Sequence, residues 1–298
     1  VLVMAGGFDG YTVMHQLSLR YAQQNLFLNV VPYLFCIPAT ISGNLPGTAM
    51  TIGSDTALNV IISAMTQIKS SAVSARRVYV VEVMGRTCGY LAMMSGIGAG
   101  AEKMFLPEDG ISIQTLVDNL DELKVGFRHF GHDMGIVITT EQIDPEKVFT
   151  SQFLASVLLR ESEGLYSNVR FSKLGHTQQG AEPTPMDRLL ALELVASLID
   201  RIESITKERC TPVATSSKQQ QPIIAECIGK APDGLTYFTN FSQMMAEYST
   251  KQRRKYYQWW FDEFVQYAKI LSQPAPSREI QKSKQSNSIN QQSNSINQ

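Results

Sequence analysis

The residues of this chain that are suited to chemistry lie in five short loops, each directly after an apolar segment that predicts a buried strand. In chain order, the loops carry GGFDG, TISGN, MGRTCG, the acidic residue Glu141 and HTQQG. Glycine-rich and polar loops in this position expose backbone N–H groups towards an anion. Each loop alone is explained as well by a turn that needs glycine, whereas the five together predict an anion-binding crevice.

Basic side chains accompany these loops. In chain order they are Arg77, Arg86, Arg170, His176 and Arg253. The planar guanidinium of arginine matches the geometry of phosphate oxygens, so several arginines in one crevice would bind a ligand that is phosphorylated at two places. Taken singly, each arginine is more simply a solvated surface residue, and the histidine a structural hydrogen-bond partner.

The loop PATISGNLPGT, residues 38–48, is polar but carries no charge. Phosphoryl transfer needs a group that accepts the hydroxyl proton and a metal-bridged nucleotide. The hydroxyl of Ser42 is a poor base at neutral pH, and no carboxylate stands in this loop. We therefore expect no catalytic residue and no metal ligand in this chain.

Apolar strands and amphipathic helices alternate along the chain and must position these loops. The predicted strands are VLVMAGG, LFCIP, RVYVVEV, KMFLPE, GIVITTE, VRFSKLG and QPIIAECIG. Helical periodicity predicts helices between them, one opening near Ser54 and one near Asp187, and a last helix that carries Trp259 and Trp260. Strands this apolar predict parallel sheets covered on both faces, which bind ligands at the carboxyl ends of their strands.

Composition excludes several classes of protein. The chain has 298 residues, of which 44% are hydrophobic and 18% charged, as in soluble globular proteins. Its apolar runs are shorter than the ~20 residues of a spanning helix, and a net charge of −1 gives no general attraction to nucleic acid. Four cysteines without a C-x-x-C pair favour free thiols in a reducing compartment, which predicts a cytoplasmic protein.

Both ends of the sequence are unusual. VLVMAGG starts as a strand without any lead-in, which suggests a fragment of a longer chain. Residues 273–298 contain almost no apolar side chains and end in QSNSINQ repeated at 285–291 and 292–298, so we expect a disordered tail. Residues 209–222 are expected to form a surface loop.

Four segments, in this order and spacing, resemble ATP-dependent 6-phosphofructokinase of the eukaryotic, fungal-like type. They are PATISGNLPGTAMTIGSDTALN, RRVYVVEVMGRTCGYLA, LGHTQQGAEPTPMDR and RRKYYQWW. The resemblance covers about residues 1–272 and implies an α/β fold of two Rossmann-like, parallel-sheet lobes with the effector cleft between them. The implied layout is residues 1–53 in a nucleotide-lobe-like domain that lacks its N-terminal portion, 54–177 in a sugar-phosphate-lobe-like domain, 178–244 returning to the first lobe, and 245–272 in C-terminal helices.

Three loops resemble the C-terminal regulatory half of the family's large subunits and not the catalytic half. The catalytic T-I-D-N-D loop has two aspartates where this chain has Ser42 and Asn44. Phe8 and Asp9 follow two glycines in place of the catalytic G-G-D-G, and Gln179 stands where the catalytic half has arginine. The resemblance thus implies an allosteric half that binds fructose 2,6-bisphosphate.

The resemblance also implies the residues of that effector site. The loop after the second strand faces the 2-phosphate, Met84 and Gly85 face the sugar, Glu141 holds hydroxyls, and basic and amide side chains hold phosphate oxygens, some of them across a subunit interface. The implied site residues are Thr40, Ile41, Ser42, Gly43, Asn44, Arg77, Met84, Gly85, Arg86, Glu141, Arg170, His176, Thr177, Gln178, Gln179 and Arg253. Two depart from the family pattern, because Gly43 replaces an asparagine and Arg86 a glycine.

The family's cofactors and partners follow from the same resemblance. ATP and Mg²⁺ serve the whole enzyme in the catalytic half, which lies outside these residues, and none is expected in this segment. The expected partners are fructose 2,6-bisphosphate and other phosphofructokinase subunits in a tetramer or larger homo- or hetero-oligomer, with no nucleic acid and no membrane. Two alternatives stay open: an active sugar-phosphate kinase half with an unrecognised base, and a structural half that serves only assembly.

Overall fold

Two four-stranded sheets organise the fold, seen here in a computed structural model that describes residues 1–24, 32–144, 146–210 and 223–272. The first sheet contains β1 (Leu2–Gly6), β2 (Tyr33–Pro38), β7 (Ile224–Lys230) and β8 (Thr236–Asn240), in the order β1-β2-β7-β8. The second contains β3 (Arg77–Val83), β4 (Lys103–Phe105), β5 (Gly135–Thr140) and β6 (Asn168–Lys173), in the order β4-β5-β3-β6. All pairings within these sheets are parallel except β7 with β8.

Helices cover both faces of each sheet. They are α1 (Phe8–Gln24), α2 (Ser54–Ser74), α3 (Tyr90–Ala99), α4 (Ile113–His129), α5 (Ser151–Arg160), α6 (Pro185–Cys210), α7 (Phe241–Ala246) and α8 (Trp259–Ser272). On the second sheet, α2, α3 and α8 bury one face and α4 and α5 the other. On the first sheet, α1 and α7 pack on one face and α6 on the other. Burial on both faces explains why β2, β3 and β5 are mostly apolar, and the predicted α/β fold with parallel sheets is confirmed.

Three details differ from the sequence predictions. β8 was not predicted, and it makes the first sheet mixed, because a turn at residues 231–235 returns the chain antiparallel to β7. β1 is an exposed edge strand and not a buried one, with Leu2 46% and Val3 42% exposed. A second short antiparallel pair, β9 (Tyr248–Ser249) and β10 (Arg254–Lys255), precedes the last helix.

Some predictions lie outside the described residues. These are the disordered tail at 273–298 and positions 211–222 of the expected surface loop. Arg209 and Cys210, assigned to that loop, are instead the last two residues of α6. Across the described part of the chain, every helix is too short or too polar to cross a lipid bilayer.

Lys255 in β10 is a buried lysine whose pKa depends on the fold. Its Nζ donates to the carbonyl oxygen of Thr48 at 3.2 Å. Burial lowers its pKa from 10.5 to about 8, against the opposing effect of Cys88 and Glu247. In the unfolded chain the pKa is about 10.4. The native state therefore binds fewer protons between pH ~8 and ~10.4, so this lysine makes the free energy of unfolding rise with pH across that window.

Replacing Lys255 by methionine is expected to remove this rise. The free energy of unfolding of the wild type minus that of Lys255→Met should increase by about 3 kcal/mol between pH 7 and pH 10.5. This amount corresponds to a pKa of about 8 in the native state and about 10.4 in the unfolded chain. Urea denaturation at several pH values measures this difference. Tyrosines titrate in both proteins, so their contribution to the free energy of unfolding cancels in it. The exposed Lys251→Met on the same hairpin is the control. A pH-independent difference for Lys255→Met contradicts the lowered pKa.

Candidate functional site

A cavity of about 690 Å³ opens between the carboxyl ends of strands from the two sheets. The loops after β1, β2, β3 and β5 line it, together with the N-terminal ends of α2 and α6 and the tip of the β9–β10 pair. The predicted residues that line it are Thr40, Ile41, Ser42, Asn44, Met84, Gly85, Arg86, Glu141, Gln178, Gln179 and Arg253. The fold thus brings four of the five polar loops, and the end of the fifth, to one cavity.

The other predicted residues do not line the cavity. They are Gly43, Arg77, Arg170, His176 and Thr177. Arg77 is the first of seven residues in β3, so about 20 Å of strand separates it from the loop at Met84. Arg170 lies in register with Tyr79 and is exposed. His176 and Thr177 are exposed on the short 3₁₀ helix Gly175–Gln179, where the histidine contacts Gln179.

The loop after β2 is held by its own polar groups. The carbonyl oxygen of Thr40 accepts from Oγ1 of Thr51 at 2.6 Å, and the Oγ1 of Thr40 accepts from the N–H of Ser42 at 3.3 Å. Asn44 is 9% exposed and its Nδ2 donates to the carbonyl oxygen of Arg253 at 2.8 Å. Asn44 therefore anchors a distant segment, and Thr40 and Ser42 bring hydroxyl groups to the cavity lining.

Gly43 is required by the backbone and by a neighbouring ring. Its φ is +61°, and a Cβ at this position would lie 2.6 Å from the Cγ and Cδ1 atoms of Tyr90. This contact and the positive φ both favour glycine at this position. Gly43→Asn is expected to lower the free energy of unfolding by about 2 kcal/mol, through overpacking against Tyr90, which urea denaturation measures.

Gly164→Asn is the matched control for that substitution. Gly164 has a φ of +75°, and a Cβ added there would have no heavy atom within 4 Å. Asparagine tolerates this backbone region, so the control should cost well under half as much. Equal costs at the two positions would show that the Tyr90 contact has no part in the effect.

Asp187 in the first turn of α6 caps the N-terminus of α2. It is 3% exposed, and its carboxylate accepts from the N–H of Gly53 and the N–H of Thr56, both at 2.8 Å, and from the Oγ1 of Thr56. Gly53 precedes the helix and has no side chain that can cap it, so Asp187 supplies the acceptor from another element. Sequence reasoning placed a helix start at Asp187 and missed this contact.

Arg253, which also lines the cavity, forms a second cross-element contact. Its Nη2 donates to both carboxylate oxygens of Asp9, at 2.8 and 2.9 Å, and its guanidinium carbon lies 4.5 Å from the ring centre of Phe8. The ring of Phe8 stacks on Tyr248 with centres 4.6 Å apart. Phe8 and Asp9 line the cavity, although the predicted site did not include them.

The segment 248–255, called here the C-terminal hairpin, joins loops of both sheets. Towards the first sheet it contacts Asn44 and Thr48, as described above. Towards the second, Oγ1 of Thr87 donates to the carbonyl oxygen of Gln252, and Arg254 donates to the carbonyl oxygen of Thr87 at 2.9 Å. Because Thr87 follows Gly85 and Arg86, the hairpin positions the cavity wall that these residues form.

Glu108 completes this anchor. Its Oε1 lies 3.2 Å from Nη1 of Arg254, and both its oxygens accept from the N–H of Gly89 at 3.0 Å, where α3 begins. Burial raises the pKa of Glu108, and Arg254 and the N–H of Gly89 oppose that effect. Removal of the arginine would therefore leave a buried carboxylate without its counter-charge.

Gln178 and Glu141 lie in the remaining wall of the cavity. Gln178 is 1% exposed, and its Oε1 accepts from the N–H of Met84 at 3.2 Å. Glu141 lies 4.0 Å from Nζ of Lys173, which pairs more closely with Glu82, at 2.7 Å. The hydrogen bond to Glu82 raises the pKa of Lys173. Gln178 thus supports the main chain of Met84 at the cavity wall, and Lys173 lies closer to Glu82 than to Glu141.

The cavity lining contains acidic side chains, those of Asp9, Glu141 and Asp187, as well as basic ones. Three arginines line it, of which Arg188 pairs with Glu182 and Arg253 with Asp9, whereas Arg86 makes no ion pair with any residue that the structure describes. Within the same ranges no group of three His, Cys, Asp or Glu side chains is arranged to hold a metal ion. The arrangement offers arginine and hydroxyl donors around a solvent-open space.

Comparison with known proteins gives the family. The phosphofructokinase family model matches residues 1–202. The ATP-dependent 6-phosphofructokinase of Dictyostelium discoideum is 36% identical over 261 residues, covering 88% of this chain and 29% of that protein. ATP-dependent 6-phosphofructokinase 1 of Aspergillus oryzae is 36% identical over 220 residues, which cover 72% of this chain and 27% of that protein.

Solved structures agree with the sequence comparisons. Phosphofructokinase from Saccharomyces cerevisiae superimposes with a TM-score of 0.79 at 30% identity, over 91% of this chain and 35% of that chain. Pichia pastoris phosphofructokinase in the T-state gives a TM-score of 0.73 at 28% identity, over 92% of this chain and 31% of that chain. The chain spans less than a third of the length of the two relatives compared above. The chain belongs to the phosphofructokinase family.

Proposed function

We propose that this chain is the allosteric half of an ATP-dependent 6-phosphofructokinase subunit and that it binds fructose 2,6-bisphosphate. The observation that carries the proposal is the uncharged loop after β2, which lines the cavity with Ser42 and Asn44 where a catalytic loop has two aspartates. Like charges ~4 Å apart repel by about 4 kcal/mol at an effective dielectric of 20, so their absence admits a second phosphate.

The cavity residues suit the chemistry of a sugar bisphosphate. Arg86 and Arg253 supply guanidinium donors, and Ser42 supplies a neutral hydroxyl on the side proposed for the 2-phosphate. Main-chain groups of Met84 and Gly85 contact the sugar in this proposal, and Glu141 accepts from its hydroxyls. Gln179, exposed at the cavity edge, donates to a phosphate oxygen from its amide.

The whole enzyme, in this proposal, transfers the γ-phosphate of ATP to the 1-hydroxyl of fructose 6-phosphate, the committed step of glycolysis in the cytoplasm. ATP and Mg²⁺ act in a catalytic half outside these residues. The names of the relatives, all ATP-dependent 6-phosphofructokinases, support this reaction. Directly after Gly6 and Gly7, this chain has Phe8 where the catalytic G-G-D-G loop has a carboxylate. The domain limits at residues 53, 177 and 244 remain part of the proposal.

Arg77 and Arg170 support an oligomer in which subunits complete one another's sites. Both lie on β strands of the second sheet away from this chain's own cavity, and neither pairs with a carboxylate of the described residues. Their proximity lowers the pKa of Tyr79, after the larger effect of its hydrogen bond to Ser71. We propose that these two arginines reach the effector of a neighbouring phosphofructokinase subunit.

Ligand-dependent melting tests the proposal. At a concentration of 100 times its Kd, fructose 2,6-bisphosphate should raise the free energy of unfolding by about 2.7 kcal/mol. Ser42→Asp should weaken binding more than about 50-fold because it restores a carboxylate, whereas the neutral Ser42→Asn should weaken it only a few-fold. ATP and fructose 6-phosphate should give no turnover.

Two results would replace the proposal by an alternative. Turnover with ATP and fructose 6-phosphate that is lost in Arg77→Ala would establish an active kinase half. No stabilisation by millimolar fructose 2,6-bisphosphate would favour a half that serves only assembly.

A further inference from the structure

Asp9 lies in the cavity proposed for a bisphosphate but has the same sign of charge as that ligand. It is the second residue of α1, and its side chain is 77% exposed. Its two oxygens accept from the same nitrogen of Arg253, at 2.8 and 2.9 Å. In the free protein, the carboxylate of Asp9 therefore occupies the guanidinium of Arg253, which the proposed ligand requires.

The main chain of Arg253 is fixed independently of Asp9. Its N–H donates to the carbonyl oxygen of Ser249 at 2.7 Å, and its own carbonyl oxygen accepts from Asn44, a residue that is 9% exposed. The φ of Arg253 is +54°, a region that a residue with a side chain rarely adopts, so these contacts hold a strained turn in place. The main chain that carries the Arg253 side chain is therefore held at the cavity.

The side chain of Arg253 is also supported from one face. The ring of Phe8 lies 4.5 Å beneath the guanidinium carbon, and Tyr248, which is 3% exposed, supports that ring from behind. Stacking fixes the plane of the guanidinium and leaves its N–H groups directed outward at the edge. Of the contacts that Arg253 makes, the ion pair with Asp9 is thus the one that a ligand can replace without moving buried groups.

We infer that Asp9 is an internal counter-anion that a phosphate group must displace from Arg253 before the effector binds. The inference rests on the proposed function for the identity of the effector. Displacement is inexpensive because an exposed ion pair contributes little, and because the first turn of α1 still favours a carboxylate that has turned away. A phosphate dianion forms stronger charge-assisted hydrogen bonds to the freed guanidinium than the exposed carboxylate does.

Asp9 then sets how tightly the cavity binds anions. It lowers the affinity for every anion that uses Arg253, so a ligand needs a second phosphate contact elsewhere in the cavity to bind well. A neutral sugar has no charge with which to displace the carboxylate. Because the same penalty applies to each such anion, Asp9 lowers their absolute affinities and leaves the ratio between them unchanged.

Binding of fructose 2,6-bisphosphate and of inorganic phosphate to the full chain, measured by calorimetry, tests the inference. Asp9→Asn keeps the size of the side chain and should lower the Kd for each about threefold. Asp262→Asn, an exposed carboxylate in the first turn of α8 and outside the cavity, is the matched control and should leave Kd unchanged. In the double variant Asp9→Asn/Arg253→Gln the gain should disappear, because it acts through Arg253.

The outcomes separate the inference from the proposed function. If the wild type binds the bisphosphate and Asp9→Asn binds it no more tightly, the inference is wrong and the proposed function stands. If Asp9→Asn gains affinity for inorganic phosphate while neither protein binds the bisphosphate, the role of Asp9 as a counter-anion is supported and the proposed effector is wrong. If neither protein binds either anion, both are overturned.

Discussion

The Asp187→Ala variant is expected to unfold with a free energy about 4 kcal/mol lower than that of the wild type. The substitution removes three hydrogen bonds to a buried carboxylate and leaves the N–H groups of Gly53 and Thr56 without an acceptor. It also removes a negative charge from the N-terminus of α2, a helix of 21 residues. These contributions overlap, so their sum is an upper limit.

The same variant should lose affinity for fructose 2,6-bisphosphate, because Gly53 and Thr56 both line the cavity. Urea denaturation measures the stability. Asp187→Asn, which keeps one acceptor oxygen but directs an NH₂ group at a donor, should be intermediate. Asp200→Ala, which replaces an exposed residue of α6, should change the free energy of unfolding by less than ~0.5 kcal/mol. A loss below about 1 kcal/mol in Asp187→Ala contradicts the capping role.

Secondary structure could be predicted from the sequence wherever both faces of an element are buried. β2, β3 and β5 are apolar runs for that reason, and α2 shows its buried face at a regular spacing. β8 has no such signal, since none of its five residues is fully buried. The Pro-Asp-Gly sequence at 232–234, with Gly234 at a φ of +88°, is the local feature that would have indicated the hairpin.

The cavity walls could be predicted because parallel strands present their carboxyl ends together. The same rule argues against Arg77 in this chain's own cavity, since Arg77 lies at the amino end of β3. The contacts of Asp187 with Thr56 and of Arg253 with Asp9 join residues more than a hundred positions apart. Periodicity and turn preferences describe neighbours in sequence, so no pattern in either segment indicates these pairs.

Replacing Arg254 by alanine is expected to lower the free energy of unfolding by about 4 kcal/mol at pH 8. Arg254 and Glu108 are 14% and 6% exposed, and breaking a buried ion pair typically costs about 3–5 kcal/mol, because one charge stays buried. The exposed pair of Arg188 and Glu182 offers a matched control, since Arg188→Ala should cost under about 1 kcal/mol.

The loss in Arg254→Ala should depend on pH in a direction that identifies its cause. Burial already raises the pKa of Glu108, and the absence of the arginine raises it further. A carboxyl whose native pKa lies above its unfolded value binds more protons in the native state, so stability falls as pH rises through that interval. The destabilisation of Arg254→Ala should therefore be smaller at pH 5 than at pH 8, as urea denaturation at the two values would measure.

A double variant separates the ion pair from the hairpin that it anchors. Glu108→Gln removes the buried charge and keeps an oxygen for the N–H of Gly89, so adding it to Arg254→Ala should recover more than half of the lost stability at pH 8. Affinity for fructose 2,6-bisphosphate should not recover, because the hydrogen bonds of Arg254 to Thr87 and Pro107 are still missing. Recovery of both the stability and the affinity would mean that the C-terminal hairpin positions neither Arg86 nor Arg253.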